Sequence, residues 1–373
     1  MYFALKTSQM KNTFLLRTKH FTLGFLFVLL SMGYSHAQLQ PALADSFLNF
    51  IKTNPTRAAV YISRNDTVTA KLNESMLMPL ASTFELLVAI EFAQQSAHET
   101  LNENMYVKLE DIDKFYMEDS TDKSDSIWRA YLKTHDEVKD GSVKLVDVAR
   151  GMIMFGCNSN ADYLMDVLGF DNVKDNITLL KLKQHTAIFP LAGSMFLYQI
   201  PKKSSEDKLI KALNKYSVKT YSMESYYNHQ DLKEDSTFKA TFKPEQFNAT
   251  LKKMWSEKLP ASTAKDYVEI AQVLNNREVL NEESFFPIGE IVEYPMETKT
   301  YQAKYKHYGA KTGTTSSVFT HVFYFTAKDG TKMEAALFFH NLWPTEVQRL
   351  ESWLMPFKEQ LIADPMFRYN VRF

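Results

Sequence analysis

The order in which strand-like and helix-like periodicity occurs along the chain limits its fold more than any other feature. Two-residue alternation of apolar and polar side chains, the mark of a strand, is found near both ends. Arg57 to Ser63 and Asp66 to Leu72 are β-rich runs around Asn65-Asp66, a hairpin signature. Near the other end, Lys304 to Lys311, Val318 to Ala327 and, after the turn Asp329-Gly330, Lys332 to His340 alternate in the same way. The middle repeats its apolar residues at helical spacing, over Ser82 to about Gln95, Lys144 to Phe155, Asn160 to Leu168 and Lys265 to Leu274. A helix-like stretch from Pro41 to Lys52 precedes the hairpin, and another follows Pro344. Both ends are therefore expected to contribute to one antiparallel sheet flanked by helices, an α/β (α+β) fold with an all-helical insert over about residues 75–300. Residues 202–243, polar, mixed in charge and holding several tyrosines, read as a surface excursion from that insert.

The first 37 residues are set apart by charge. They hold Lys6, Lys11, Arg17 and Lys19 and no acid, and the last three of these precede an apolar stretch from Phe21 to Tyr34 that ends in Ser35-His36-Ala37. This is the pattern of a secretory signal peptide, and an apolar run of 14 residues is shorter than the roughly 20 needed to span a bilayer. Residues 1–37 are expected to be removed, leaving residues 38–373 as one domain in the periplasm or secreted, without stable membrane insertion. Without the leader, the 43 basic and 44 acidic residues of the chain become 39 and 44, a net charge of minus 5. No basic run or aromatic–basic stripe offsets that balance, which argues against a nucleic-acid partner. The single cysteine, Cys157, cannot close an internal disulfide or build a thiolate zinc or iron–sulfur site, and the nine histidines include no H-x-x-x-H pair. Neither a metal nor another cofactor is expected.

Three short pieces carry the chemistry: Ser82-Thr83-Phe84-Glu85 at a helix start, Cys157-Asn158-Ser159 between two helices, and Lys311-Thr312-Gly313-Thr314 on a strand. A serine at a helix N-terminus places its hydroxyl and backbone N–H at the positive end of the helix dipole, where a developing oxyanion is stabilised. Residues three apart share a helix face, so Glu85 is expected beneath Ser82, within reach of its hydroxyl. A lysine and hydroxyls on an edge strand suit a substrate carboxylate.

Together these pieces resemble the serine β-lactamase and penicillin-binding-protein superfamily, whose motifs are S-x-x-K, S-D-N and K-T-G. Val143 to Gly169, Ser262 to Glu283 and Tyr308 to Thr315 extend the likeness, which covers roughly residues 40 to 365. The resemblance implies a serine β-lactamase-like domain in which Ser82 is the nucleophile. It further implies catalytic roles for Glu85, Ser159 and Lys311 and substrate-binding roles for Cys157, Asn158, Thr312, Gly313 and Thr314. The Ser82 and Thr314 N–H groups would form the oxyanion hole.

The chain departs from the family pattern in three places. Glu85 stands where the family has its lysine base; burial would make it a workable base, whereas close contact with Lys311 would make it a weak one. Cys157, Asn158 and Ser159 replace serine, aspartate and asparagine. Ile188-Phe189-Pro190-Leu191-Ala192-Gly193 lacks the E-P-E-L-N-like pattern with which class A enzymes place a deacylating glutamate, so efficient β-lactam hydrolysis by that route is not expected. The functional expectation is an exported serine hydrolase acting through an acyl-enzyme on an amide or ester of the β-lactam or cell-wall peptide class. The alternatives are a degenerate member that binds a cell-wall peptide or protein partner, and an enzyme that uses Cys157 as nucleophile.

Overall fold

The computed structural model describes residues 40–117 and 123–373, so the segment read as a signal peptide lies outside the described residues. The chain divides into two compact units, one of residues up to Thr53 with Arg349–Val371 and one of Asn54–Gln348 with Arg372–Phe373. In the first, α1 (residues 40–53) packs Phe47 against Phe357, with ring centroids 4.5 Å apart, and Lys52 Nζ donates to the Asn370 carbonyl at 3.0 Å.

The second unit contains an antiparallel sheet of β1 (Ala58–Arg64), β2 (Thr67–Leu72), β3 (Tyr305–Thr314), β4 (Phe319–Ala327) and β5 (Lys332–Phe339), in the order β2-β1-β5-β4-β3. Asn65 and Asp66 both adopt positive φ, 49° and 61°, as a tight two-residue hairpin turn requires. The N-terminal hairpin joins the C-terminal strands through β1 and β5, with Ala58 opposite Phe339 and Arg64 opposite Met333. One sheet is thus assembled from both ends of the chain, as the periodicity indicates. β3, an edge strand, runs three residues past the apolar alternation: Thr312, Gly313 and Thr314 offer no apolar signal, but β4 supplies ladder partners as far as Phe319.

Between hairpin and final strands lie the helices. A 3₁₀ turn, Ala81–Phe84, leads into α2 (Glu85–Ala97), whose Leu86, Leu87, Val88, Ala89, Ile90, Phe92 and Ala93 are all buried. A helix apolar on every side belongs in a core, and α2 is at its centre. A π-helical turn, Gly151–Phe155, and left-handed Gly156 (φ 77°) precede α3 (Asn158–Leu168). The polar turn expected at 156–159 is therefore shorter: Asn158 and Ser159 lie in the first helical turn, where orphan N–H groups favour polar side chains.

The segment 202–243 is largely helical. Its main element, α4 (Val218–Glu234), is polar outside but buries Tyr221, Ser225, His229 and Leu232 along one face. That face crosses the short helix Leu191–Phe196 so closely that a Cβ on Gly193 would lie 2.1 Å from the Ser225 carbonyl oxygen. Asn228 Nδ2 donates to the Gly193 carbonyl at 3.0 Å across the same crossing. After it, α5 (Ala264–Asn276) covers one sheet face, with Tyr267 edge-on to Phe338 at 5.6 Å. Gly193→Ala is expected to destabilise the protein by about 1–3 kcal/mol through overpacking at this crossing, measured by urea unfolding. An unchanged midpoint would show α4 to be loosely attached.

Candidate active site

Ser82 lies inside the 3₁₀ turn, not at its cap position; Leu80 and Phe84 hold the cap positions, and neither makes a side-chain cap. The residue before it, Ala81, has φ 44°, a left-handed conformation uncommon for a residue bearing a Cβ. Such a conformation persists where its surroundings over-determine it. Here they do: the Leu80 N–H donates to the Pro260 carbonyl at 2.9 Å, and the Leu80 carbonyl accepts from the Thr83 and Thr320 hydroxyls, both at 2.7 Å. Thr320 sits on β4 opposite Gly313 of β3, so the strand pair is tied to the serine turn. A Cβ on Gly313 would lie 2.6 Å from the Ser82 backbone nitrogen, so the Ser82 turn and the edge strand approach this closely only because residue 313 is glycine.

Glu85 begins α2 three residues after Ser82 and is fully buried. Its Oε2 lies 2.6 Å from Lys311 Nζ, and neither side chain of this pair is more than 1% exposed. Lys311 Nζ also donates to the Met152 carbonyl at 2.6 Å and the Ile153 carbonyl at 3.3 Å, both in the π-helical turn. The two effects that the sequence left opposed are both present. Burial raises the Glu85 carboxyl from the ordinary 4.5, Lys311 and the Ser82 hydroxyl pull it back, and the Asp162 charge pushes it up, with a balance at about 7. Burial likewise lifts Asp162 to about 6, against the pull of His229 and of the Leu191 and Ala192 N–H groups, which donate to its two oxygens at 2.7 Å each.

The second motif is arranged differently. Cys157 is completely buried within the apolar cluster. Asn158 opens α3, and the Ser159 hydroxyl, 3% exposed, is directed at Asp125 Oδ1 (3.3 Å) and Asn160 Oδ1 (3.4 Å). Asp125 in turn is held by Arg129 Nε at 2.6 Å, and Arg129 also bridges to Asp113 at 2.5 Å. On β3, Lys311 and Gly313 share the buried positions while Thr312 and Thr314 are exposed, and Thr312 Oγ1 lies 2.8 Å from His321 Nδ1. The structure thus brings together Ser82, Glu85, Lys311 and Gly313, with Thr312 and Thr314 on the other side of the strand, and engages Ser159 with Asp125. Asp162, Asp125, His321 and Thr320 escaped the sequence reading. Asp162 had a signal, a carboxylate on the apolar face of α3; His321 and Thr320 follow from cross-strand register once the 315–318 turn is known.

A serine on a strained turn at the head of a buried helix, with a carboxylate–lysine pair and an edge strand beside it, forms the candidate site on an α/β fold. The chain belongs to the β-lactamase enzyme family, whose model matches residues 42–351. Its fold is similar to that of a β-lactamase from Sphaerobacter thermophilus (15% identity, 87% of this chain and 97% of that one, TM-score 0.53). It is also similar to a β-lactamase from Chitinophaga pinensis (14% identity, 86% and 98%, TM-score 0.51) and to a class A β-lactamase representative from Bacteroides cellulosilyticus (13% identity, 87% and 99%, TM-score 0.50). No curated protein sequence matches the chain significantly. Among the described residues no helix is long and apolar enough to cross a membrane, and no group of three His, Cys, Asp or Glu side chains could hold a metal.

Because the carboxyl of Glu85 is raised on folding, its contribution to stability is complete below about 4.5 and is lost as pH rises through about 7. Glu85→Gln removes this dependence. Urea unfolding at pH 4.5, 6 and 8 is expected to show a native profile that falls by about 3 kcal/mol more than that of the variant across this window. Parallel profiles would contradict the raised value.

Proposed function

We propose that the protein is a serine hydrolase that forms an acyl-enzyme on Ser82 with a small amide or ester, Glu85 serving as the base that the family's lysine provides elsewhere. The observation that carries this reading is the Glu85 carboxyl, fully buried three residues after Ser82, 2.6 Å from Lys311 Nζ and raised to about 7. An efficient base has a pKa close to the working pH. Glu85 takes the Ser82 proton as Oγ bonds to the substrate carbonyl carbon. The resulting oxyanion is received by the Ser82 N–H and the Thr314 N–H, which lies one residue beyond the Gly313–Ser82 contact. Collapse breaks the bond to the leaving amine or alcohol, and the Glu85 carboxylic acid returns the proton to it. Water then attacks the acyl-enzyme with Glu85 again as base, releasing the acid and regenerating Ser82. Lys311 keeps Glu85 ionisable in a site that would otherwise hold it neutral.

The proposal includes export through residues 1–37, so that the enzyme works in the periplasm or outside the cell. β-Lactams and cell-wall peptides are the substrate class that the family resemblance implies.

Intact-mass measurement after treatment with a neutral alkyl fluorophosphonate tests the proposal. One phosphonyl adduct is expected, mapping to Ser82 and absent from Ser82→Ala, with a labelling rate that rises with pH through about 7. Glu85→Gln should slow labelling by about 10²–10⁴-fold. Absence of any adduct on the native protein overturns the enzyme reading in favour of a binding protein, and labelling that persists in Ser82→Ala but is blocked by iodoacetamide moves the nucleophile to Cys157.

A further inference from the structure

We infer that Glu257 is a positioning residue for acyl transfer: its carboxylate clasps the turn 315–318 to the end of β5 and so fixes the Thr314 N–H that receives the oxyanion. The inference rests on the acyl-enzyme reading above and adds to it a residue outside the three motifs. β3 is an edge strand, paired with β4 alone, and Thr314 is its last residue, opposite Phe319. The end of such a hairpin is where a sheet frays most easily. The turn beyond Thr314 closes on itself: the Thr315 N–H donates to the Val318 carbonyl at 2.9 Å, and the Thr315 hydroxyl oxygen accepts from the Val318 N–H at 3.1 Å. Those bonds shape the turn, and Ser317 ties it to the rest of the fold. The Ser317 carbonyl accepts from the Leu342 N–H at 2.9 Å, its hydroxyl donates to Glu257 Oε1 at 3.0 Å, and the residue is 1% exposed.

Glu257 is the last residue of the helix Ala249–Glu257, where the negative end of the helix dipole disfavours an acid, so the helix itself does not account for it. Its partners do. Oε1 accepts from the Asn341 N–H at 2.8 Å as well as from Ser317, and Oε2 lies 3.0 Å from His340 Nδ1. His340 and Asn341 directly follow β5, the middle strand of the sheet, and the His340 N–H donates to the Arg57 carbonyl at 3.1 Å just before β1. Two residues before Glu257, Trp255 Nε1 donates to Ser194 Oγ at 2.8 Å and anchors the helix. One carboxylate thus joins the end of a central strand, an anchored helix and the turn of the edge strand. Burial pushes the Glu257 carboxyl up, but the bonds from His340, the Asn341 N–H and Ser317 hold it below the ordinary 4.5, so it is ionised at neutral pH.

The test times labelling of Ser82 in the full chain by the neutral alkyl fluorophosphonate at pH 7.5. A range of reagent concentrations separates the half-saturating concentration from the limiting rate. Glu257→Ala is expected to lower the limiting rate by about 10–100-fold, the cost of a misplaced rather than missing oxyanion donor, and to leave the half-saturating concentration unchanged. Glu257→Gln keeps an acceptor for Ser317 and Asn341 and offers an amide to His340, and it should restore the limiting rate to within about threefold. Where urea unfolding shows Glu257→Ala to be unfolded, Ser317→Ala takes its place with the same expectation. A native limiting rate in the alanine variant, a rise in the half-saturating concentration instead, or a glutamine variant as slow as the alanine one overturns the inference and leaves the acyl-enzyme reading standing. Absence of any adduct on the native protein removes both.

Discussion

The contact between Glu85 and Lys311 is the interaction on which the site depends. Two ionisable side chains, neither more than 1% exposed, meet at 2.6 Å. Such a pair contributes little net stability compared with well-packed apolar residues, but removing one partner strands the other in a medium that cannot solvate it. The pair therefore acts chiefly as a geometric constraint. It fixes the head of α2, the edge strand β3 and the π-helical turn before α3 to a common point, because Lys311 also binds the Met152 and Ile153 carbonyls. The same contact sets the chemistry. Burial alone would hold Glu85 neutral and Lys311 alone would hold it ionised, and their competition leaves a carboxyl near 7 next to a serine hydroxyl.

The rest of the fold delivers those two residues. α2 is buried on all sides, so its first turn cannot shift without moving the core. Left-handed Ala81 and the hydrogen bonds on Leu80 set the angle at which the chain enters the helix. Thr320 binds the Leu80 carbonyl from β4, and Gly313 lets β3 approach the Ser82 nitrogen, so the sheet and the helical insert meet at Ser82. Left-handed Ala81 directly precedes Ser82, and the raised carboxyl of Glu85 follows it by three residues.

Much of this was legible in the sequence where the determining interactions are short-range. The hairpin at Asn65-Asp66, the terminal strands and the helical middle announce themselves by spacing, and a sheet joining both ends follows from their order. The Ser82–Glu85 relationship is a three-residue helical interval. What could not be read depends on partners distant in sequence. Ser159 is turned toward Asp125, 34 residues away, and Lys311 toward a π-turn 158 and 159 residues away, neither of which has a local signature. The polar face of the 202–243 segment concealed that α4 is anchored, because the glycine that permits its crossing stands at position 193, outside that segment. Lys311 is the instructive case: its position on the strand was predictable, but its inward partners, the Glu85 carboxylate and the Met152 and Ile153 carbonyls, depend on elements distant in sequence.

The account rests on Glu85 being a base poised near neutrality, and its carboxyl carbon reports this directly. Carbon-13 NMR of protein labelled at the glutamate carboxyl, with the Glu85 resonance identified by its loss in Glu85→Gln, follows that carbon as pH is varied. The account requires a titration midpoint at about 7 in the native protein. A midpoint at or below the ordinary glutamate value of about 4.5 would show that Lys311 outweighs burial and that Glu85 is too weak a base for the chemistry assigned to it.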